Sequence, residues 1–410
     1  MTASVLRARR LLPTADRWIE DGGVLVARGR VVRVLTSPAA VRRAVRAGAR
    51  EHDLGDGVLT PGLVNAHAHL ELSGLVGALP RGPDFRAWVQ ELMRLRASRS
   101  ARRLAADARA GADQALASGT TCVGDVDSVG ASERGLADHP LFTVLFREVL
   151  DAQDPSRTAA ALRRVARALP RRVGRIEGLA PHAPFSVSPA LFAELAGPAR
   201  RRRLPLSMHW SETEEEVRWL RTGAGSFGAW LGPSPRCSGL ELLAAAGLLR
   251  APLALVHGNF PGRGEPARIA AAGAVVVHCP RSHQWFERPP FPLRRYRRAG
   301  VPIALGTDSL ASNWDLDLHH EAARLAAVEP GLGPRELWRM LTVHGARALG
   351  LEGRAGELAP GARADLCLYP ADAAGGGGDA FLERVTRGGA RPRAVLVGGR
   401  RPNRSGARRS

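Results

Sequence analysis

Two histidines one residue apart, His67 and His69, close the apolar run Leu59-Thr60-Pro61-Gly62-Leu63-Val64-Asn65-Ala66. Alternate residues of a β-strand point to the same side. If this run is a strand, both imidazoles project together, the arrangement needed to hold one metal ion. Neutral imidazole is the commonest protein ligand for such an ion. A bare His-x-His also fits two unrelated loop histidines, so the metal reading requires further ligands from distant parts of the chain.

Those ligands have candidate positions. The middle of the chain alternates buried β-type runs with amphipathic helical patterns. The strand candidates are 61–66, 120–125, 141–147, 176–181, 204–208, 252–256, 274–278 and 302–306. Helical patterns fill the gaps, among them 102–117, 158–168, 189–199, 213–221 and 317–328. Eight strands with helical returns predict a parallel (β/α)8 TIM barrel, with a doubly wound open sheet as the alternative. No Gly-x-Gly-x-x-Gly or Walker loop occurs, which disfavours a nucleotide-cofactor fold. In a barrel the active site lies at the C-terminal strand ends. Here those ends carry His67 and His69, His182, His209, His257, His278 with His283, and Asp308. Most of the twelve histidines therefore fall where barrel chemistry is done.

A β-rich stretch at Val24–Leu35 returns as Ala364–Tyr369 and Ala394–Val397 at the far end. These predict a small β-sandwich domain built from both chain ends, residues 1–57 and 352–405, around a barrel of residues 58–351. The four-glycine run Gly375–Gly378 reads as a flexible loop between two of its strands, and the polar tail Arg401–Ser410 as disordered. The segment 221–251 reads as an insertion without an assigned role.

The chain has 410 residues and a net charge of +20. It contains no lysine, so all 59 basic residues are arginine. The short arginine runs fall at helix ends, without the aromatic interleaving of a nucleic-acid surface. Arginine bias over solvated faces is the simpler reading, with a small-molecule substrate and neither nucleic acid nor membrane as partner; a homo-oligomer stays open. No apolar stretch reaches the roughly 18 residues of a membrane span, and the N-terminus lacks a signal-peptide core. Four dispersed cysteines fit reduced thiols in a cytoplasmic protein.

The motifs Pro-Gly-Leu-Val-Asn-Ala-His-Ala-His (61–69), His-Trp-Ser-Glu (209–212), Val-His-Gly-Asn (256–259), His-Cys-Pro-Arg-Ser (278–282) and Gly-Thr-Asp-Ser (306–309), in this order, resemble the amidohydrolase superfamily. The resemblance is to its mononuclear branch of cytosine, guanine and adenosylhomocysteine deaminases and triazine chlorohydrolases. It implies that His67, His69, His209 and Asp308 ligate one divalent ion, zinc by default and iron as the alternative. Without lysine, no carboxylated lysine can bridge a pair of ions. It further implies Glu212 as the proton shuttle, His257 as a polarising group at the attacking oxygen, and Asp308 as a second proton acceptor. Leu70–Ser73, His182–Ser188 and His283, standing where most relatives carry asparagine, are similar to the aminodeoxyfutalosine deaminases of menaquinone biosynthesis. Their substrate is an adenine nucleoside bearing a benzoate. Trp88, Phe85, His182 and His283 are the expected substrate contacts, with Arg147 for the carboxylate. Deamination of adenosylhomocysteine, guanine or a pterin, hydrolysis of a carbon–chlorine bond, and a non-catalytic binding barrel are the alternatives.

Overall fold

Runs of β-branched and aliphatic residues bounded by Gly and Pro become strands, which divide between two sheets. The computed structural model describes residues 3–168 and 175–402. Residues 403–410, most of the polar tail, lie outside the described residues. The first five strands are β1 (Ser4–Thr14), β2 (Arg17–Ala27), β3 (Arg30–Leu35), β4 (Arg50–Asp53) and β5 (Gly57–Pro61). Then come β6 (Leu63–Ala68), β7 (Thr120–Asp127), β8 (Phe142–Val149), β9 (Ile176–Pro181), β10 (Leu206–Trp210), β11 (Leu253–His257), β12 (Val275–His278) and β13 (Ile303–Leu305). The last two are β14 (Leu366–Pro370) and β15 (Ala394–Leu396).

Strands β6 to β13 pair in parallel, each beside its neighbour in sequence, with a helical return between most of them. All but the first residues of β8 and β9 are fully buried, as expected of strands covered on both faces. The sheet closes on itself where β13 meets β6. The Thr307 and Asp308 N–H groups donate to the His67 carbonyl at 3.0 and 3.1 Å, and Asn65 Nδ2 donates to Thr307 Oγ1 at 2.7 Å. Gly306 is required at this seam, because a Cβ there would stand 2.9 Å from the His67 carbonyl oxygen. The architecture is a TIM-type barrel with a second domain from the chain ends.

That second domain is one mixed seven-stranded sheet in the order β15-β14-β5-β1-β2-β3, with β4 beside the first half of β1. Strand β5 belongs to it, so the terminal sheet runs through Pro61, past position 57. The stretch after β14 is more ordered than its glycines suggest. Only Gly375–Gly377 make the turn, with φ of +57°, +97° and +152°. A helix, Gly378–Thr386, follows and buries Phe381, Leu382 and Val385 on one face. The two domains are tied by His319 Nε2 at 2.8 Å from the Tyr369 hydroxyl and by Arg391 donating to Asp317.

Candidate active site

The C-terminal ends of β6, β10, β11 and the turn after β13 bring six of the expected residues together. The Nε2 atoms of His69 and His209 are 3.2 Å apart. One ligand atom from each of His67, His69 and His209 lies within 4.8 Å of the others. Asp308 Oδ1 faces the cluster from the barrel seam, 3.6 Å from His67 Nε2 and 3.8 Å from His69 Nε2. Its other oxygen is occupied, accepting from the Ser282 and Ser312 hydroxyls at 2.7 and 3.0 Å. His209 Nδ1–H donates to the His182 carbonyl at 3.0 Å, which fixes the tautomer and leaves the Nε2 lone pair facing inward.

These residues fit a divalent ion. Buried polar atoms almost always have partners, yet both ring nitrogens of the fully buried His67 have none among the described residues. Burial lowers the pKa of His67, His69 and His209, favouring neutral imidazoles. For Asp308 burial pushes upward, but the approach of His67 and the neighbouring imidazoles outweighs it, and the carboxyl is held well below its usual range. Neutral imidazoles beside an ionised carboxylate are the protonation states that ligate metal. Nitrogen and oxygen donors of this kind suit zinc.

Glu212 sits at the edge of this cluster, 6% exposed, with Oε2 3.7 Å from His257 Nε2. Burial raises its pKa to about 7. Burial lowers that of His257 to about 3, so its ring is neutral. The backbone is strained around these groups: φ is +53° at Ser211, +74° at His257 and +55° at Asp308. Non-glycine residues in this region cost about 1–3 kcal/mol each and collect at functional sites.

A cavity of about 450 Å³ opens onto Glu212, His257, His69, His209 and Asp308. His182 and Trp88 line it, as expected. His182 Nδ1 is 2.6 Å from Ser186 Oγ, and the Trp88 indole N–H donates to the Ala311 carbonyl at 3.1 Å. Phe85 and Phe286 pack on Trp88 at centroid distances of 6.0 and 5.0 Å.

Two expected contacts are corrected. Arg147 is 3% exposed and spent on three carboxylates, Asp127 at 2.7 Å, Glu133 at 2.9 Å and Glu177 at 3.0 Å. It faces away from the cavity, because adjacent strand residues point to opposite faces and its neighbour Glu148 takes the cavity side. His283 does not line the cavity either. Its Nδ1 lies 3.1 Å from Asn259 Oδ1 and its Nε2 2.8 Å from the Pro289 carbonyl.

Three features escaped the sequence reading. Glu216, in a run that reads as acidic enrichment of a first helical turn, accepts the backbone N–H of Ser211 at 3.2 Å and of Glu212 at 2.8 Å. The 221–251 segment carries a short helix, Ser226–Leu231, that brings Trp230 and Leu231 to the cavity and packs Phe227 on Phe185. Arg96 and Arg164 are the arginines that line the cavity, and among the described residues neither is in an ion pair. Arg96 had a readable signal. Phe85, Trp88, Val89, Leu92, Met93 and Arg96 form one stripe at helical spacing on the helix Phe85–Ala97.

Comparison with known proteins agrees with this geometry. The family model described as "Amidohydrolase family" matches residues 58–391. A 5-methylthioadenosine/S-adenosylhomocysteine deaminase of Halobacterium salinarum is 32% identical, over 87% of this chain and 82% of that protein. An aminodeoxyfutalosine deaminase of Deinococcus radiodurans is 35% identical, over 80% of this chain and 81% of that protein. Among solved structures, an adenosine deaminase from Xanthomonas campestris with bound zinc superposes with a TM-score of 0.82 at 26% identity, covering 98% of this chain and 92% of that one. With the family model matching most of its length and two relatives above 30% identity, the chain belongs to the amidohydrolase family.

Proposed function

We propose that the protein is a hydrolytic deaminase of adenine nucleosides and that its substrate is aminodeoxyfutalosine, an intermediate of menaquinone biosynthesis. The observation that carries the deaminase reading is Glu212. It is a buried carboxyl with its pKa at about 7, beside three converging imidazoles and opening onto a nucleoside-sized cavity. A group that must both take and give a proton works best with a pKa near the operating pH. The named deaminases among the relatives support it.

His67, His69, His209 and Asp308 would hold one divalent ion, zinc by preference, which when bound supplies the Lewis acidity that draws the pKa of water toward about 7. Glu212, as carboxylate, accepts a proton from the attacking water. It passes that proton to the ring nitrogen beside the amine-bearing carbon as the water oxygen bonds to that carbon. His257 Nε2 steadies the arriving oxygen. Asp308 takes the second water proton, which then reaches the amine by way of Glu212, a carboxylate again once its first proton is on the ring nitrogen. The carbon–nitrogen bond then breaks, ammonia departs and the ring is left with a carbonyl oxygen.

The walls of the cavity favour a flat apolar tail carrying a carboxylate. Phe85, Trp88, Phe185, Phe286 and Trp230 supply aromatic faces, and Arg96 and Arg164 supply the cation first expected of Arg147. A methylthio tail would use the same walls but offer no carboxylate to either arginine. The test is ammonia release from aminodeoxyfutalosine, S-adenosylhomocysteine, methylthioadenosine and adenosine. Aminodeoxyfutalosine should have the highest kcat/KM. Arg96→Gln with Arg164→Gln should lower that value about tenfold or more, the usual worth of a charge-assisted hydrogen bond, and leave adenosine within about twofold. A preference for methylthioadenosine, unchanged by both substitutions, would overturn the substrate assignment.

A further inference from the structure

Glu212 is held at both of its peptide groups, on one side by the helix Glu214–Thr222 that follows it and on the other by the loop after β11. On its N–H side stands the Glu216 carboxyl. On its carbonyl side, Asn259 Nδ2 donates to the Glu212 oxygen at 3.0 Å, while the Asn259 backbone N–H donates to the Ser211 carbonyl at 2.9 Å. The side-chain bond determines which way the Asn259 amide faces. Turning it over would set two oxygens against each other at the Glu212 carbonyl. Asn259 Oδ1 therefore faces His283 Nδ1 at 3.1 Å, while His283 Nε2 lies 2.8 Å from the Pro289 carbonyl. Burial keeps the ring neutral with one N–H, and the Nδ1–H tautomer is the one that donates to Asn259. The result is a lateral chain across three successive barrel loops: His283 after β12, Asn259 after β11 and Glu212 after β10.

The backbone just before Glu212 needs such a chain. Ser211 holds φ of +53°, a conformation that persists in non-glycine residues only where the surroundings impose it. Ser211 is held in turn by its hydroxyl donating to the Phe260 carbonyl at 2.6 Å. Among the described residues, the His283–Asn259 contact is the side-chain hydrogen bond that joins this arrangement to the loop after β12, and both ring nitrogens of His283 face protein oxygens.

We infer that Asn259 and His283 are positioning residues that aim the Glu212 carboxyl at the reacting ring, His283 acting through Asn259. The inference rests on the proton-shuttle role proposed for Glu212. A carboxyl displaced by about 1 Å from a productive geometry can lose about a hundredfold in rate, so these side chains have leverage without touching substrate.

The experiment compares His283→Leu, which removes the N–H donor, with His283→Gln, which retains one, using aminodeoxyfutalosine and adenosine as substrates and zinc content as a control. His283→Leu should lower kcat about tenfold or more with KM within about twofold and zinc unchanged, and His283→Gln should recover most of the loss. Asn259→Ala should behave like His283→Leu and serves in its place if the leucine variant does not fold. In a Glu212→Gln background, His283→Leu should cost nothing further, since the group it aims is gone. Wild-type kcat in His283→Leu, or a raised KM with kcat unchanged, would overturn the inference. Full activity of Glu212→Gln alone would instead overturn the proton-shuttle reading beneath it.

Discussion

Glu212→Gln should hold as much zinc as the native protein and turn over about a hundredfold more slowly or worse. Glutamine keeps the shape and volume of the side chain but offers no titratable proton. Glu212 lies outside the imidazole cluster, so its loss leaves all four candidate ligands in place. The native pH profile should carry an acidic limb set by the same carboxyl. Burial raises its pKa to about 7, and the carboxylate is the form that accepts the proton from water. Activity should therefore rise with pH up to about 7, with a bound cation drawing the limb lower. In Glu212→Gln the residual rate should lack that limb. Near-native turnover in this variant would remove Glu212 from the mechanism.

His209→Ala should fail differently, by losing the metal. His209 is a ligand held in orientation, with Nδ1–H committed to the His182 carbonyl, and its Nε2 is 3.2 Å from that of His69. The native protein should bind one zinc or iron per chain, because the described residues contain one histidine cluster of this kind and the chain has no lysine to bridge a pair. Elemental analysis of His209→Ala should find most of that metal gone and activity with it. Chelation of the native protein should also lower its thermal stability. A ligand present at about a hundredfold its Kd contributes about 2.7 kcal/mol to the folded state. Two tightly held ions per chain, or an unchanged metal content in His209→Ala, would contradict the ligand assignment.

The residues that converge on the histidine cluster were the legible part of this site, for a physical reason. A barrel places chemistry at the C-terminal ends of its strands, and strand period selects which side chains turn inward. His67, His69, His209, His257 and Asp308 all stand at or just after such ends. Parity is also what misled. Arg147 and Glu148 are neighbours on β8, and a one-residue difference sends one into a salt-bridge network and the other to the cavity wall. Choosing between them requires the register: Arg147 stands beside Asp127 of β7, one of its three carboxylate partners. His283 was misread because the helix Pro280–Trp285 turns it toward Asn259 and Pro289. The roles of Asn259, Glu216 and the aromatic residues of 221–251 depend on contacts between loops distant in sequence, which no local pattern encodes. The terminal sheet was legible from paired β-rich ends, whereas the helix Gly378–Thr386 was hidden by the glycines before it.

The most direct test of the account is to run the reaction in water enriched in heavy oxygen, with the zinc-loaded protein and aminodeoxyfutalosine, and to weigh both products. Hydrolytic deamination predicts one ammonia per nucleoside consumed and one heavy oxygen at the ring carbon that carried the amine. Loss of substrate without ammonia, or a product free of solvent oxygen, would contradict it.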